Sequence, residues 1–280
     1  MLPNINFNVY IVHYTPLHQR RAFLLSKLKD ISPVNWITET NFAEVPRRVS
    51  NANSVFGLSI RKMGLYLGTN SRSLSFSRRK AYWDGLLLHF ASYLHWRRLD
   101  LVNGSIPPAK TLKESWLENQ SMHYNALVHA CSNENEWTLI LEDDAIPIED
   151  WGAKVTSIGD NLSSRKPTWI NLNSGAGLRR TSSDPQPDHN GLFRVRPPST
   201  RCAVAYMVNR KFAQLFVETI RIHGMPDWLP IDVLFHLFCA RYRVRTYWQE
   251  PVTFVQGSES GHFESNFAKW RDQKDTTKGD

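Results

Sequence analysis

Three carboxylates in a row, Glu142, Asp143 and Asp144, follow directly on the apolar run Trp137–Leu141. Thr138 and Ile140 are β-branched, and the run predicts a buried strand. A strand that stops in acidic residues places negative charge at the carboxyl edge of a sheet, where open α/β sheets bind their ligands. Adjacent carboxylates raise one another's pKa unless a cation relieves them. Oxygen-only ligands of this kind suit Mg²⁺ or Mn²⁺. While the backbone stays extended, Glu142 and Asp144 share one side and Asp143 faces the other. One side could then hold a metal and the other the hydroxyls of a sugar. The triplet also reads as a solvated acidic turn after a strand.

The segments around the triplet alternate between strand and helix. Phe7–Tyr14 predicts a strand, and Pro16 opens a helix in which Leu17, Leu24, Leu28 and Ile31 recur at helical spacing. Val34–Thr38 is a second strand, so the chain begins β-α-β, as a parallel sheet does. Leu112–Cys131 predicts a helix that leads into the acidic strand, and Asp150–Asn161 a short one after it. Trp169–Leu172 and Cys202–Val208 are strands. Arg210–Ile222 and Ile231–Arg241 are helices, and Val244–Trp248 and Val252–Val255 are late strands. Three stretches are less regular. Asn51–Ser77 reads as loops, Arg78–Arg98 as a basic helix, and Asn103–Pro108 as a loop. Asn173–Asn190, rich in Gly, Ser, Asp and Pro, reads as a loop or lid, and Gly257–Asp280 as a mobile polar tail. No repeat and no linker divides the 280 residues, which predicts one domain.

Composition narrows the class. Hydrophobic residues make up 41% and charged residues 21%, enough apolar matter for a sizeable core. The formal net charge of +8 suits anionic partners: nucleotides, acidic glycans, lipid headgroups at a membrane surface, or nucleic acid. The basic residues fall in scattered pairs (Arg47–Arg48, Arg78–Arg79, Arg97–Arg98, Arg179–Arg180) without a stripe or known motif, which argues against nucleic acid. Cys131, Cys202 and Cys239 are too few and too far apart for a disulfide framework, which predicts reduced thiols and a cytoplasmic setting. Neither CxxC nor HExxH occurs, so zinc has no support. The start MLPNINF does not look like a secretory leader. The longest apolar run, Cys202–Val208, is far short of the ~18 residues of a membrane span.

The order of these pieces resembles the lipooligosaccharide galactosyltransferase and procollagen galactosyltransferase family. NVYIVHYTPLHQRR resembles its opening strand and a helix bearing paired Arg, and SMHYNALVHA its Ser/His-bearing helix. WTLILEDDA closely matches its LEDD signature, and RCAVAYMVNRKFAQLF its Ala-Tyr strand and following helix. PIDVLF supplies the Pro-x-Asp, and PVTFVQGSESG resembles the closing Gln-Ser-Gly segment. The usual Gly-Cys before the helix's Ser is missing, and an insertion at about 42–108 has no counterpart in that family.

The resemblance implies a GT-A-like nucleotide-sugar-binding fold with a mostly parallel central sheet flanked by helices. It implies a hexosyltransferase of the kind used in lipopolysaccharide biosynthesis, with galactose as a candidate sugar. The donor would be a nucleotide sugar such as a UDP-sugar, and the acceptor a glycan, glycolipid or glycoprotein. Breaking a sugar–phosphate bond builds charge on the departing diphosphate, which a cation held by carboxylates stabilises. Asp144 is then the first metal ligand, with Glu142 in support and His262 completing the set. Asp143 would position ribose or donor sugar. Arg20 and Arg21 would contact the nucleotide or merely decorate a helix, and Ser121 and Gln256 would touch the donor. An inverting reaction needs a general base, and Asp232 at the start of a helix is the best-placed carboxylate; the same residue could simply cap that helix. A phosphoryl or nucleotidyl transferase using the same carboxylates is the rival, weakened by the lack of a glycine-rich phosphate loop.

Overall fold

The computed structural model describes residues 7–28, 34–38, 45–46, 107–162, 165–174, 180, 184–195, 201–226, 230–258 and 260–263. The basic helix expected at Arg78–Arg98, the loops of Asn51–Ser77, part of the Asn173–Asn190 loop and the tail beyond residue 263 lie outside them.

A seven-stranded sheet organises the chain. Its strands are β1 (Phe7–Val12), β2 (Val34–Ile37), β3 (Trp137–Glu142), β5 (Thr168–Asn171), β6 (Leu192–Val195), β7 (Ala205–Asn209) and β8 (Arg245–Gln249). They lie in the order β2-β1-β3-β7-β5-β8-β6. The β2–β1, β1–β3 and β5–β8 pairs are parallel, and the β3–β7, β7–β5 and β8–β6 pairs antiparallel. It follows that β7 and β6 run against the other five, so the sheet is mixed and mostly parallel in sense. A separate two-stranded piece pairs β4 (Ala145–Pro147) with β9 (Phe254–Gln256). Among the described residues the helices are α1 (His18–Lys27), α2 (Pro107–Ser132), α3 (Trp151–Asn161), α4 (Arg210–His223) and α5 (Ile231–Arg241).

The period-2 alternation of the strands sorts their side chains onto two faces. Tyr10, Val12, Ile140, Tyr206 and Val208 face one core with Met122 and Leu127 of α2, Phe212 and Phe216 of α4, and Phe235 and Phe238 of α5. Val9, Ile11, Leu139, Leu141 and Met207 face the other with Leu24 of α1 and Val155 and Ile158 of α3. Among the described residues, most of the buried aromatic side chains lie in the first core. Trp169 stacks on Tyr206 with centroids 4.0 Å apart, and Phe235 lies 4.6 Å from Trp169. Such ring pairs contribute about 1 kcal/mol each beyond their buried area.

Several boundaries differ from the sequence reading. The helix before the acidic strand starts at Pro107, not Leu112, so Pro107 and Pro108 belong to it and not to a loop. A helix's first turn has no amide bonds for proline to break. Helix α1 starts at His18, two residues after Pro16, which sits in a turn. Short β4 and β6 were not foreseen. The supposed tail folds back: the Gly257 amide donates to the Asp144 carbonyl at 2.7 Å, and Phe263 packs edge-on to Phe23 at 5.3 Å. A Cβ on Gly257 would run into the Phe263 ring and come within 3.1 Å of that carbonyl, so this close return requires glycine. All three cysteines are free. Among the described residues no helix is long and apolar enough to cross a membrane.

Candidate active site

Strand β1 has β2 on one side and β3 on the other, so the strand order reverses there. In open sheets the crevice outside the carboxyl ends at such a reversal is where ligands bind. Strand β3 delivers its acids to this place. Because Ile140 faces the α2 core, Glu142 two residues on faces α2 as well. After Glu142 the backbone turns instead of staying extended, so Asp144 does not return to Glu142's side. Each carboxylate meets its own set of partners.

Glu142 accepts hydrogen bonds on Oε1 from Asn119 Nδ2 at 3.1 Å and from His123 Nε2 at 3.3 Å. Asn119 and His123 are one helical turn apart on α2 and so share a face. The other His123 nitrogen, Nδ1, lies 2.9 Å from the Tyr206 hydroxyl. His123 and Tyr206 are fully buried. With a neutral imidazole the order of donors follows from Glu142 being acceptor-only: Nε2–H donates to Glu142, and the Tyr206 hydroxyl donates to Nδ1. Burial, with the Glu142 and Asp232 charges beside it, holds the Tyr206 phenol well above its usual range and keeps it a donor.

Asp143 is consumed by the protein. It accepts from Arg20 at 2.8 Å on Oδ1, and from His13 Nδ1 at 3.1 Å and the Tyr14 amide at 3.2 Å on Oδ2. The acid is 7% exposed and Arg20 8%, so this pair ties the end of β3 to α1 out of bulk water. Arg21, half-buried, stacks its guanidinium 4.6 Å from the ring centre of Trp36 on β2. Phe263 covers Arg20 at 5.3 Å.

Asp144 has Oδ2 held by Ser258 Oγ at 2.8 Å and by Gln256 Nε2 at 3.3 Å. Its Oδ1 is buried and has no hydrogen-bond partner among the described residues. Burial first, then the Glu142 charge, pushes its pKa up to about 6, against the pull of Ser258 and Arg20. A buried acceptor left unmet costs about 1–3 kcal/mol unless something else meets it.

Asp232 comes from α5 and caps nothing in its own helix: the N-cap is Pro230, without a side-chain bond. Its carboxylate instead accepts from the Ala203 amide just before β7. Burial first, then the Glu142 charge, pushes its pKa up to about 7. Glu142 thus stands near enough to both Asp144 and Asp232 to disfavour charge on each.

The remaining candidates divide. Gln256 joins the site. The Ser121 hydroxyl donates back to the Leu117 carbonyl at 2.6 Å from a fully buried position, while its helix neighbours Asn119 and His123 reach Glu142. His262 is exposed, its Nδ1 3.0 Å from Ser260 Oγ. His13, Asn119 and Ser258 carry no role in the sequence reading, and His123 and Tyr206 enter it only within the Ser/His-bearing helix and the Ala-Tyr strand. The position of His13 at the end of the first strand, and the Asn119/His123 spacing of four, were the signals present. Beside the site a second buried group, Arg201, pairs with Glu250, donates to the Asn173 carbonyl at 3.2 Å and stacks 4.1 Å from the Trp248 ring. Among the described residues no group of three or more His, Cys, Asp or Glu side chains is set to enclose a metal. Compared with known proteins, the chain matches no family model and no curated protein.

Proposed function

We propose that the protein is a metal-dependent, inverting glycosyltransferase of GT-A-like fold. It moves a hexose, with galactose the first candidate, from a nucleotide sugar such as a UDP-sugar to a hydroxyl of a glycan, glycolipid or glycoprotein. The observation that carries this reading is the pairing of two raised carboxylates at one sheet edge: Asp144 with a buried, unmet oxygen, and Asp232 on another element with a pKa of about 7. The ordered likeness of the sequence segments to the galactosyltransferase family supports it.

The Asp144 oxygen fits Mg²⁺ or Mn²⁺, since such ions are commonly held by one or two carboxylates and completed by substrate phosphates and water. That also accounts for a site without an all-protein cage. The ion, when bound, supplies positive charge beside the departing diphosphate. Asp232 accepts the proton of the attacking hydroxyl; a base with a pKa near neutrality is both ionised often enough and strong enough for that task. Glu142, held on Oε1 by Asn119 and His123, keeps a fixed orientation between them, and among the described residues no hydrogen bond reaches its Oε2. That oxygen would accept from a sugar hydroxyl. Asp143 acts by clamping α1 to β3 instead of meeting the donor directly. His262 is close in sequence to Ser258, and ligation by it would need the exposed turn to move.

The test is a panel of nucleotide sugars with Mn²⁺, followed by mass spectrometry for released nucleoside diphosphate and for glycosylated product. Donor-dependent release that disappears in Asp144→Asn supports the reading. Turnover of nucleoside triphosphates and of no nucleotide sugar would replace it with phosphoryl or nucleotidyl transfer.

A further inference from the structure

The Arg pairs at 47–48, 78–79 and 97–98 lie outside the described residues, but basic residues from three other segments are gathered by the topology. Strand β7 runs against β3, with Asn209 opposite Trp137, so the start of α4 lies at the amino edge of the parallel strands, away from the carboxylates. Lys211 there donates to the Arg165 carbonyl at 3.1 Å. Asn209 reaches the Lys166 carbonyl at 2.8 Å. Strand β8 begins on the same edge, where Arg245 pairs with Thr168 and its amide donates to the Pro167 carbonyl at 3.0 Å. Arg241 ends α5, and Arg243 lies in the turn that leads from it into β8. Three separate segments therefore bring Arg165, Lys166, Arg210, Lys211, Arg241, Arg243 and Arg245 to one edge. Five of them are exposed, with Arg210 and Arg245 half-buried. Among the described residues the acids beside these three segments are Glu134, half-buried Glu136 and Asp160, against seven cations.

We propose that this edge is a docking face for an anionic lipid surface. Distributed, exposed Arg and Lys on a sheet edge suit a plane of headgroups, each contributing attraction near an acidic bilayer. A single-stranded nucleic acid would call for exposed aromatic platforms, and among the described residues the one strongly exposed aromatic, Tyr14, follows β1 at the opposite, carboxyl edge. Strand β3 is six residues long, at ~3.3 Å per residue, so the docked face stands ~20 Å from the carboxylates at its end. The candidate active site would then open away from the bilayer, free to receive a water-soluble donor and the outer end of an extended acceptor. The inference stands on charge placement and does not depend on the proposed reaction.

The test is co-sedimentation of the full chain with phosphatidylcholine vesicles, with and without phosphatidylserine, beside a single-stranded oligonucleotide in a parallel binding assay. The protein should sediment with the phosphatidylserine vesicles only, and release at high salt. The triple variant Lys166→Gln, Lys211→Gln, Arg241→Gln removes one exposed charge from each segment and should weaken vesicle binding about a hundredfold, at roughly fivefold per charge. Lys154→Gln with Arg221→Gln, off this edge, should change it little. Failure to bind acidic vesicles, equal loss in the two variants, or oligonucleotide binding without vesicle binding would each overturn the proposal.

Discussion

Asp232→Asn is the most informative single change, because it separates the acid's electrostatics from its hydrogen bond. Asparagine keeps an oxygen for the Ala203 amide, so the link between α5 and the approach to β7 survives. What disappears is a carboxylate whose pKa is raised from 3.8 to about 7. A raised acid binds its proton more tightly folded than unfolded. Its sign is therefore fixed: stability falls as pH climbs from about 4 to about 7, and the loss is complete above that. Three units at ~1.4 kcal/mol each would be about 4 kcal/mol, and the partial exposure of the residue reduces this to about 2 kcal/mol. The variant should thus match the wild type near pH 4 and exceed it by about 2 kcal/mol at pH 8, measured by urea unfolding across pH. Turnover in the same variant should fall a few orders of magnitude with donor binding retained, since the base acts on the acceptor. Parallel stability curves for the two proteins from pH 4 to 8 would refute the perturbed environment, and unimpaired turnover would refute the base.

Two further changes probe the braces. Tyr206→Phe removes only the hydroxyl and leaves His123 Nδ1 unmet in the core, so urea unfolding should show a loss of about 1–3 kcal/mol, with donor KM raised as Glu142 loosens; unchanged stability would show the relay to be idle. Gly257→Ala forces a methyl against Phe263 and should free the 257–263 turn from Asp144; faster hydrogen exchange at Ser258 and Ser260, with stability down by about 1–3 kcal/mol, is the expected result.

The strands and helices around the site were legible because their apolar residues follow period 2 or 3.6 over buried faces. The acidic edge was legible because Trp137–Leu141 is a buried run that ends in charge. Partners were not. His13 and Asp143 are 130 residues apart, and nothing local to either marks the pair. Gly257–Phe263 reads as a tail since Ser258, Ser260 and His262 carry no apolar pattern, yet Ser258 is polar because it has Asp144 to satisfy. Capping was a fair reading of Asp232 from position alone; only the fold reveals that its hydrogen bond crosses to Ala203. Arg165–Lys166, Arg210–Lys211 and Arg241–Arg245 lie far apart in sequence, and the strand order that brings them to one edge is long-range.

The three neighbouring acids repel one another, and the fold gives each different company while leaving the Asp144 pKa raised by burial and by the charges of Glu142 and Asp143. Glu142 goes to α2, Asp143 to α1 and Asp144 to the returning 256–258 segment. The consequence is that conservative changes at adjacent positions should have opposite effects on stability. In Asp143→Asn the 8%-exposed Arg20 loses the carboxylate charge it donates to at 2.8 Å, and breaking such a buried pair costs about 3–5 kcal/mol. In Asp144→Asn the loss is of an acid already raised to about 6, so above that pH the folded protein should be as stable as the wild type or more so. Stabilisation by Mn²⁺ should vanish in the second variant, since its oxygen no longer carries charge, with turnover down a few orders of magnitude. Urea unfolding at pH 7.5, with and without Mn²⁺, distinguishes the two. Were both substitutions equally destabilising, Asp144 would be a structural residue like Asp143, and the unmet oxygen would lose its meaning as a ligand.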